Sequence, residues 1–168
     1  MMTKKKTYYI LGLIFLIFSF YSIYLLRNNF NDGYHYLLFI IVVCISTDIG
    51  GYVFGNIFKG PKLTKISPKK TYSGMYGGYL FAALSSYFLT KYIIVDSSIK
   101  LTTHLFIFSF FISTISQLGD LIISYFKRLS KIKNTGRLIP GHGGLLDRID
   151  GMIFAFPFSY LILLTNII

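Results

Sequence analysis

Five apolar runs, at about residues 8–26, 35–58, 75–95, 102–126 and 149–168, dictate what this chain can become, because each is near the ~20 residues that cross a bilayer core as a helix. Stretches rich in Lys and Arg follow the second and the fourth. With 54% hydrophobic residues and a mean hydropathy of +0.61, there is too little polar surface to cover a globule of this size. An ordinary soluble domain is excluded. The expected fold is all-α, a polytopic membrane protein of about five helices forming one integral-membrane domain over residues 1–168. Pro157 falls within the last run, the least regular of the five.

The net charge of +11, from 17 Lys and Arg against six acids, invites a nucleic-acid reading that the distribution of the charges excludes. The basic residues are grouped by loop. Lys4, Lys5 and Lys6 precede the first run; Lys59, Lys62, Lys65, Lys69 and Lys70 follow the second; Lys127, Arg128, Lys131, Lys133, Arg137 and Arg148 lie between the fourth and fifth. With the amino terminus in the cytoplasm these 14 are all inside, and only Arg27, Lys91 and Lys100 are outside, as the positive-inside rule requires. The inner loops then lie beside anionic headgroups, which attract juxtamembrane Lys and Arg. MMTKKK ahead of a long apolar run, with no small-residue cleavage site, reads as a retained anchor and not a signal peptide. Cys44 is the only cysteine and has no partner for a disulfide.

Residues 117–150 hold three of the six acids and six of the 17 basic residues. The stretch begins apolar, so Asp120 falls within a membrane-length helix, where an ionised carboxylate is costly unless a metal, a cation or a water-filled cavity receives it. At helical spacing Asp120, Ser124, Lys127 and Lys131 share one face. Pro140, Gly141, His142, Gly143 and Gly144 then break the helix and let backbone amides approach an anion. Asp147 and Asp150 follow, one helical turn apart. Carboxylates beside Lys and Arg, near a glycine loop, suit a Mg²⁺ ion carrying a polyphosphate. Asp48 is a further acid inside an apolar run, ahead of Gly51 and Gly55; the remaining two, Asp32 and Asp96, lie in expected outer loops.

Ser124, Lys127, Arg128, Lys133, Gly136, Pro140, His142, Gly143, Gly144, Asp147, Arg148 and Asp150 closely resemble the signature of the phosphatidate cytidylyltransferases, or CDP-diacylglycerol synthases. Upstream, Asp48, Gly51, Tyr52 and Gly55, followed by Ser67, Pro68, Lys69, Lys70, Thr71 and Gly74, look like that family's Asp-bearing helix and SPKKT loop. Three positions depart from the pattern. Asn134 stands where the family usually has Asp, Ser73 where it usually has Glu, and Gly151 where Ser is common. The chain resembles mainly the C-terminal, motif-bearing part of such an enzyme.

The resemblance implies transfer of CMP from CTP to phosphatidic acid at a bacterial inner membrane, with Mg²⁺ as cofactor and membrane lipids as surroundings; a second cation and a homodimer stay open. Asp120, Asp147 and Asp48 are expected at the metal. Lys127, Arg128, Lys133, His142, Arg148 and Asp150 are expected in catalysis, and Ser67, Lys69, Lys70, Thr71, Ser124, Gly143 and Gly144 in substrate binding. Structural roles compete at several positions. Gly51 and Gly55 suit helix packing, Asp150 suits holding Lys127 or Arg148 in place, and His142 suits a turn-stabilising hydrogen bond. Ser67 to Thr71 could be a solvated basic loop, and Ser73, Gly74, Gly77 and Gly78 read as packing contacts. CMP transfer to an archaeal ether lipid and a non-catalytic membrane relative are the alternative functions.

Overall fold

The computed structural model describes residues 2–64, 67, 70–94, 103–132, 135–136 and 146–165. Among them are five helices and no strand: α1 (Met2–Asn28), α2 (Gly33–Phe58), α3 (Tyr72–Tyr92), α4 (Thr103–Leu129) and α5 (Leu146–Leu164). By length and composition three qualify as membrane spans, Ile10–Asn28, Gly33–Phe58 and Thr103–Leu129. The other two are diluted differently. α3 carries Gly, Ser and Tyr along its 21 residues, and the apolar part of α5 is shorter, Ile149–Leu164, with Pro157 inside it.

Glycine sets the α2–α3 spacing. A Cβ on Gly50 would lie 2.3 Å from Gly77 O, one on Gly77 2.6 Å from Gly50 O, and one on Gly74 2.7 Å from Gly51 O. The two helices therefore touch backbone to backbone, the arrangement small residues permit inside membranes. The pairing runs antiparallel, since Gly50 meets Gly77 while Gly55 meets Thr71. The tightest α2 position is Gly50, which the expected Gly51 and Gly55 pair had not included; a Cβ on Gly51 would find its nearest neighbour only at 3.6 Å.

α2 also forms the middle of the core. Phe39, Ile40, Val43 and Cys44 are fully buried against Phe108 and Ile112 of α4 and Ala155 and Phe156 of α5. Phe39 and Phe108 stack with parallel rings 6.0 Å apart. On α1, by contrast, Ile10, Leu13, Ile17 and Tyr24 are more than half exposed, which suits lipid and not water. Its contact with α5 includes Phe15 on Phe154, with centroids at 4.8 Å.

Both helix exits beside the basic loops use a lysine in the left-handed conformation. Lys59 (φ 42) ends α2 just before Gly60 and Pro61. Lys131 (φ 56) ends α4, where Ile132 N bonds Lys127 O and Lys131 N bonds Arg128 O, each at 3.0 Å. That is a Schellman closure. It corrects one expectation: the helical face bearing Asp120, Ser124 and Lys127 does not continue to Lys131, because the chain reverses there.

Candidate functional site

α2 and α4 run in the same direction, with Thr47 beside Ser113 and Phe39 beside Phe108, so their C-terminal ends share one face of the bundle. Asp48 lies ten residues before the end of α2 and Asp120 nine before the end of α4. At 1.5 Å per residue both are ~15 Å deep. A cavity of about 260 Å³ reaches them. Its walls are Thr47, Asp48, Gly51 and Tyr52 of α2, Leu63 and Lys70 of the following loop, Thr71, Gly74 and Met75 at the start of α3, and Gln117 and Asp120 of α4.

The loop delivers Lys70 by closing on itself. Leu63 N donates to Lys70 O at 2.8 Å, Tyr72 N to Pro61 O at 3.0 Å, and Lys70 N to Ser67 O at 3.0 Å. Thr71 then caps α3, its Oγ1 accepting from Gly74 N at 3.1 Å. Ser73, where a Glu was expected by resemblance, serves this turn: its Oγ accepts from Gly60 N at 3.3 Å and lies 3.0 Å from Thr71 Oγ1. The Lys70 ammonium reaches across to α4, 3.2 Å from Asp120 Oδ2 and 3.5 Å from Gln117 O. Asp48 makes no hydrogen bond or ion pair with another described residue and is exposed in the same cavity.

A polar chain lies behind these groups. Gln117 Nε2 donates to Ser113 Oγ at 3.3 Å, Ser113 Oγ is 3.0 Å from Thr47 Oγ1, and Thr47 Oγ1 is 2.8 Å from Val43 O. It ties α4 to α2 directly beneath the cavity. Gln117, Thr47, Leu63 and Met75 had not been singled out from the sequence, whereas Tyr52 had been placed in the upstream motif. Gln117 carried a usable signal, a polar residue three before Asp120 in an apolar helix and therefore on its face; Leu63 carried none.

The α4–α5 crossing builds a second charged pair. Lys127 donates to Asp150, and the two side chains are only 11% and 9% exposed. Neither is a described wall of the cavity. Gly151 has no room for a side chain, since a Cβ there would lie 2.3 Å from Ser116 Oγ and 2.8 Å from Ser116 O. Asp147 and Arg148 fall in the first turn of α5. Ser124 is half-buried one turn beyond Asp120; Arg128 is exposed, its Nη1 donating to Ile132 O at 3.4 Å; Ser67 contributes backbone bonds to the loop. Lys69, Lys133, Asn134, His142, Gly143 and Gly144 lie outside the described residues.

Among the described residues no three His, Cys, Asp or Glu side chains group as metal ligands. Asp48 and Asp120 nevertheless offer two carboxylates to one cavity, an all-oxygen set suited to Mg²⁺, which uses one or two carboxylates and keeps several waters.

Ionisable groups at this depth of an apolar helical bundle, facing a cavity, define an integral membrane protein with a polar site inside its span. The chain belongs to the cytidylyltransferase family, whose sequence profile matches residues 1–165. It is 41% identical to a phosphatidate cytidylyltransferase of Staphylococcus saprophyticus over 135 residues, 80% of this chain and 51% of the relative. It is 37% identical to the phosphatidate cytidylyltransferase of Brucella suis over 151 residues, 89% of this chain and 54% of the relative. The chain thus spans about half the length of the curated relatives it matches.

Proposed function

We propose that the chain transfers CMP from CTP to phosphatidic acid, yielding CDP-diacylglycerol and pyrophosphate. The observation that carries this reading is the cavity in which Lys70 meets Asp120 beside Asp48, one cation and two carboxylates gathered inside an apolar helical bundle. Membership of the cytidylyltransferase family and the names of its relatives supply the reaction class.

In this reaction a phosphate oxygen of the lipid attacks the α-phosphorus of CTP, a P–O bond forms, and the bond to pyrophosphate breaks. A phosphate monoester has its second pKa near ~6, so the nucleophile is already an anion at neutral pH and needs no general base. The chain has to hold several anions together and stabilise charge on the leaving group. Lys70 does so from the cavity wall, and Lys69, Lys133 and Arg148 are assigned to the same task by resemblance. Asp48 and Asp120, with Asp147 by resemblance, would hold Mg²⁺, which when bound supplies charge neutralisation on the phosphates. The grouping of Lys and Arg supports an amino terminus and a site-bearing face on the cytoplasmic side of a bacterial inner membrane.

The test is purified chain in detergent with labelled CTP, phosphatidic acid and Mg²⁺. The expected product is CDP-diacylglycerol. Product from an ether-lipid phosphate alone would transfer the reading to that lipid class. No product from either, with the chain folded, would make it a non-catalytic relative.

A further inference from the structure

Among the described residues two Lys–Asp pairs lie inside this bundle, and exposure separates them. Lys127 and Asp150 are 11% and 9% exposed, held between α4 and α5. Lys70 and Asp120 are 29% and 25% exposed, and both line the cavity. The first pair is enclosed by protein; the second is open to whatever enters.

The main chain of Lys70 is fixed, because its N–H donates to Ser67 O and its carbonyl accepts from Leu63 N. The flexible four-carbon stem leaves the ammonium free to swing about that fixed point. An ammonium has three donors; Asp120 Oδ2 and Gln117 O engage two of them. A cation arriving at Asp120 meets this ammonium at the same carboxylate oxygen, and in a partly desolvated site the two positive charges repel.

We propose that Lys70 is an exchangeable counter-cation of Asp120: its ammonium holds the carboxylate oxygen until a divalent cation takes that oxygen, and then moves to a nucleotide phosphate in the same cavity. The phosphate half rests on the cytidylyl-transfer reading; the competition at Asp120 does not. Lys70 therefore weakens binding of the metal alone and strengthens binding of metal and nucleotide together. By linkage that coupling is mutual. A lysine that acts only as a phosphate clamp would leave metal affinity in the absence of nucleotide untouched.

The test uses the full chain in detergent, with Mn²⁺ as the probe and free Mn²⁺ read by electron paramagnetic resonance. Without nucleotide, Lys70→Met is expected to bind Mn²⁺ about tenfold more tightly than wild type, a gain of ~1.4 kcal/mol. Lys70→Gln, which keeps a donor for Gln117 O, is expected to do the same and serves if the methionine variant fails to fold. Lys70→Arg keeps the charge and should stay near wild type. In the CMP-transfer assay Lys70→Met should show a several-fold higher KM for CTP. Equal or weaker Mn²⁺ binding by the neutral variants, or binding by Lys70→Arg as tight as theirs, overturns the exchange. An unchanged KM for CTP overturns the handover to phosphate. Absence of CMP transfer in the wild type would sink the proposed function and the handover with it, while the nucleotide-free Mn²⁺ comparison would still decide the exchange.

Discussion

Lys127 in the last turn of α4 donates to Asp150 near the start of α5, and the pair is almost wholly buried. The bond fixes where α5 begins relative to α4, and so where the backbone of Asp147 and Arg148 starts. It ties α4 to α5 at the edge of the site.

Removing one member of a buried ion pair takes away opposite charge that offsets the burial of the other, at a cost of ~3 kcal/mol or more. Lys127→Met and Asp150→Asn are each expected to lower the unfolding midpoint in detergent markedly. The double variant Lys127→Met with Asp150→Leu should recover at least half of that loss. Additive losses in the double variant would show that the two residues act separately.

Asp120→Asn and Asp48→Asn should each abolish CMP transfer while expression and insertion stay normal, because they change charge in a cavity and not packing volume. The check is turnover at saturating CTP and Mg²⁺. Residual activity above about a tenth of wild type, a barrier change under ~1.4 kcal/mol, would remove that residue from the metal site.

Gly50→Ala and Gly77→Ala force a Cβ to within 2.3 Å and 2.4 Å of α3 and α2 atoms respectively. Separating the helices enough to admit it should cost ~2 kcal/mol and lower activity, since Lys70 lies in the loop that leads directly into α3. Gly12 has nothing within 4 Å of a Cβ, so Gly12→Ala should be neutral or slightly stabilising. Thermal unfolding of the three variants in one detergent gives the comparison.

Topology can be read with thiol reagents, because the native Cys44 is fully buried and supplies little background. Cysteines at Lys62 and Ser130, both exposed, should label only from the cytoplasmic side, and one at Asn31 only from the outside. Labelling of Lys62→Cys or Ser130→Cys from outside would invert the orientation.

The helices were legible because a bilayer-length apolar run has few other solutions, and Asp48 and Asp120 were legible because a carboxylate inside such a run needs a reason. Helix rotation was not legible. From spacing alone Gly51 and Gly55 looked like the packing pair, yet Gly50 makes the tightest contact, a difference of one residue and ~100° around the axis. Leu63 in the cavity wall follows from the fold of the loop, which depends on backbone bonds between Pro61 and Tyr72 and between Leu63 and Lys70. The reversal at Lys131 was hidden because the Schellman closure there uses a lysine where glycine is the usual signal.

The cavity draws its walls from α2, from the loop and start of α3, and from α4, an order with meaning for a chain made from its amino terminus. Once α3 has emerged, the glycine contacts with α2 can form, and Asp48 and Lys70 are already present on one hairpin. Asp120 joins only after α4 has entered the membrane, and Asp150 locks Lys127 later still. During biogenesis, then, the charges of the site are assembled in instalments, Asp48 arriving with a lysine nearby and α5 joining helices that are already charged.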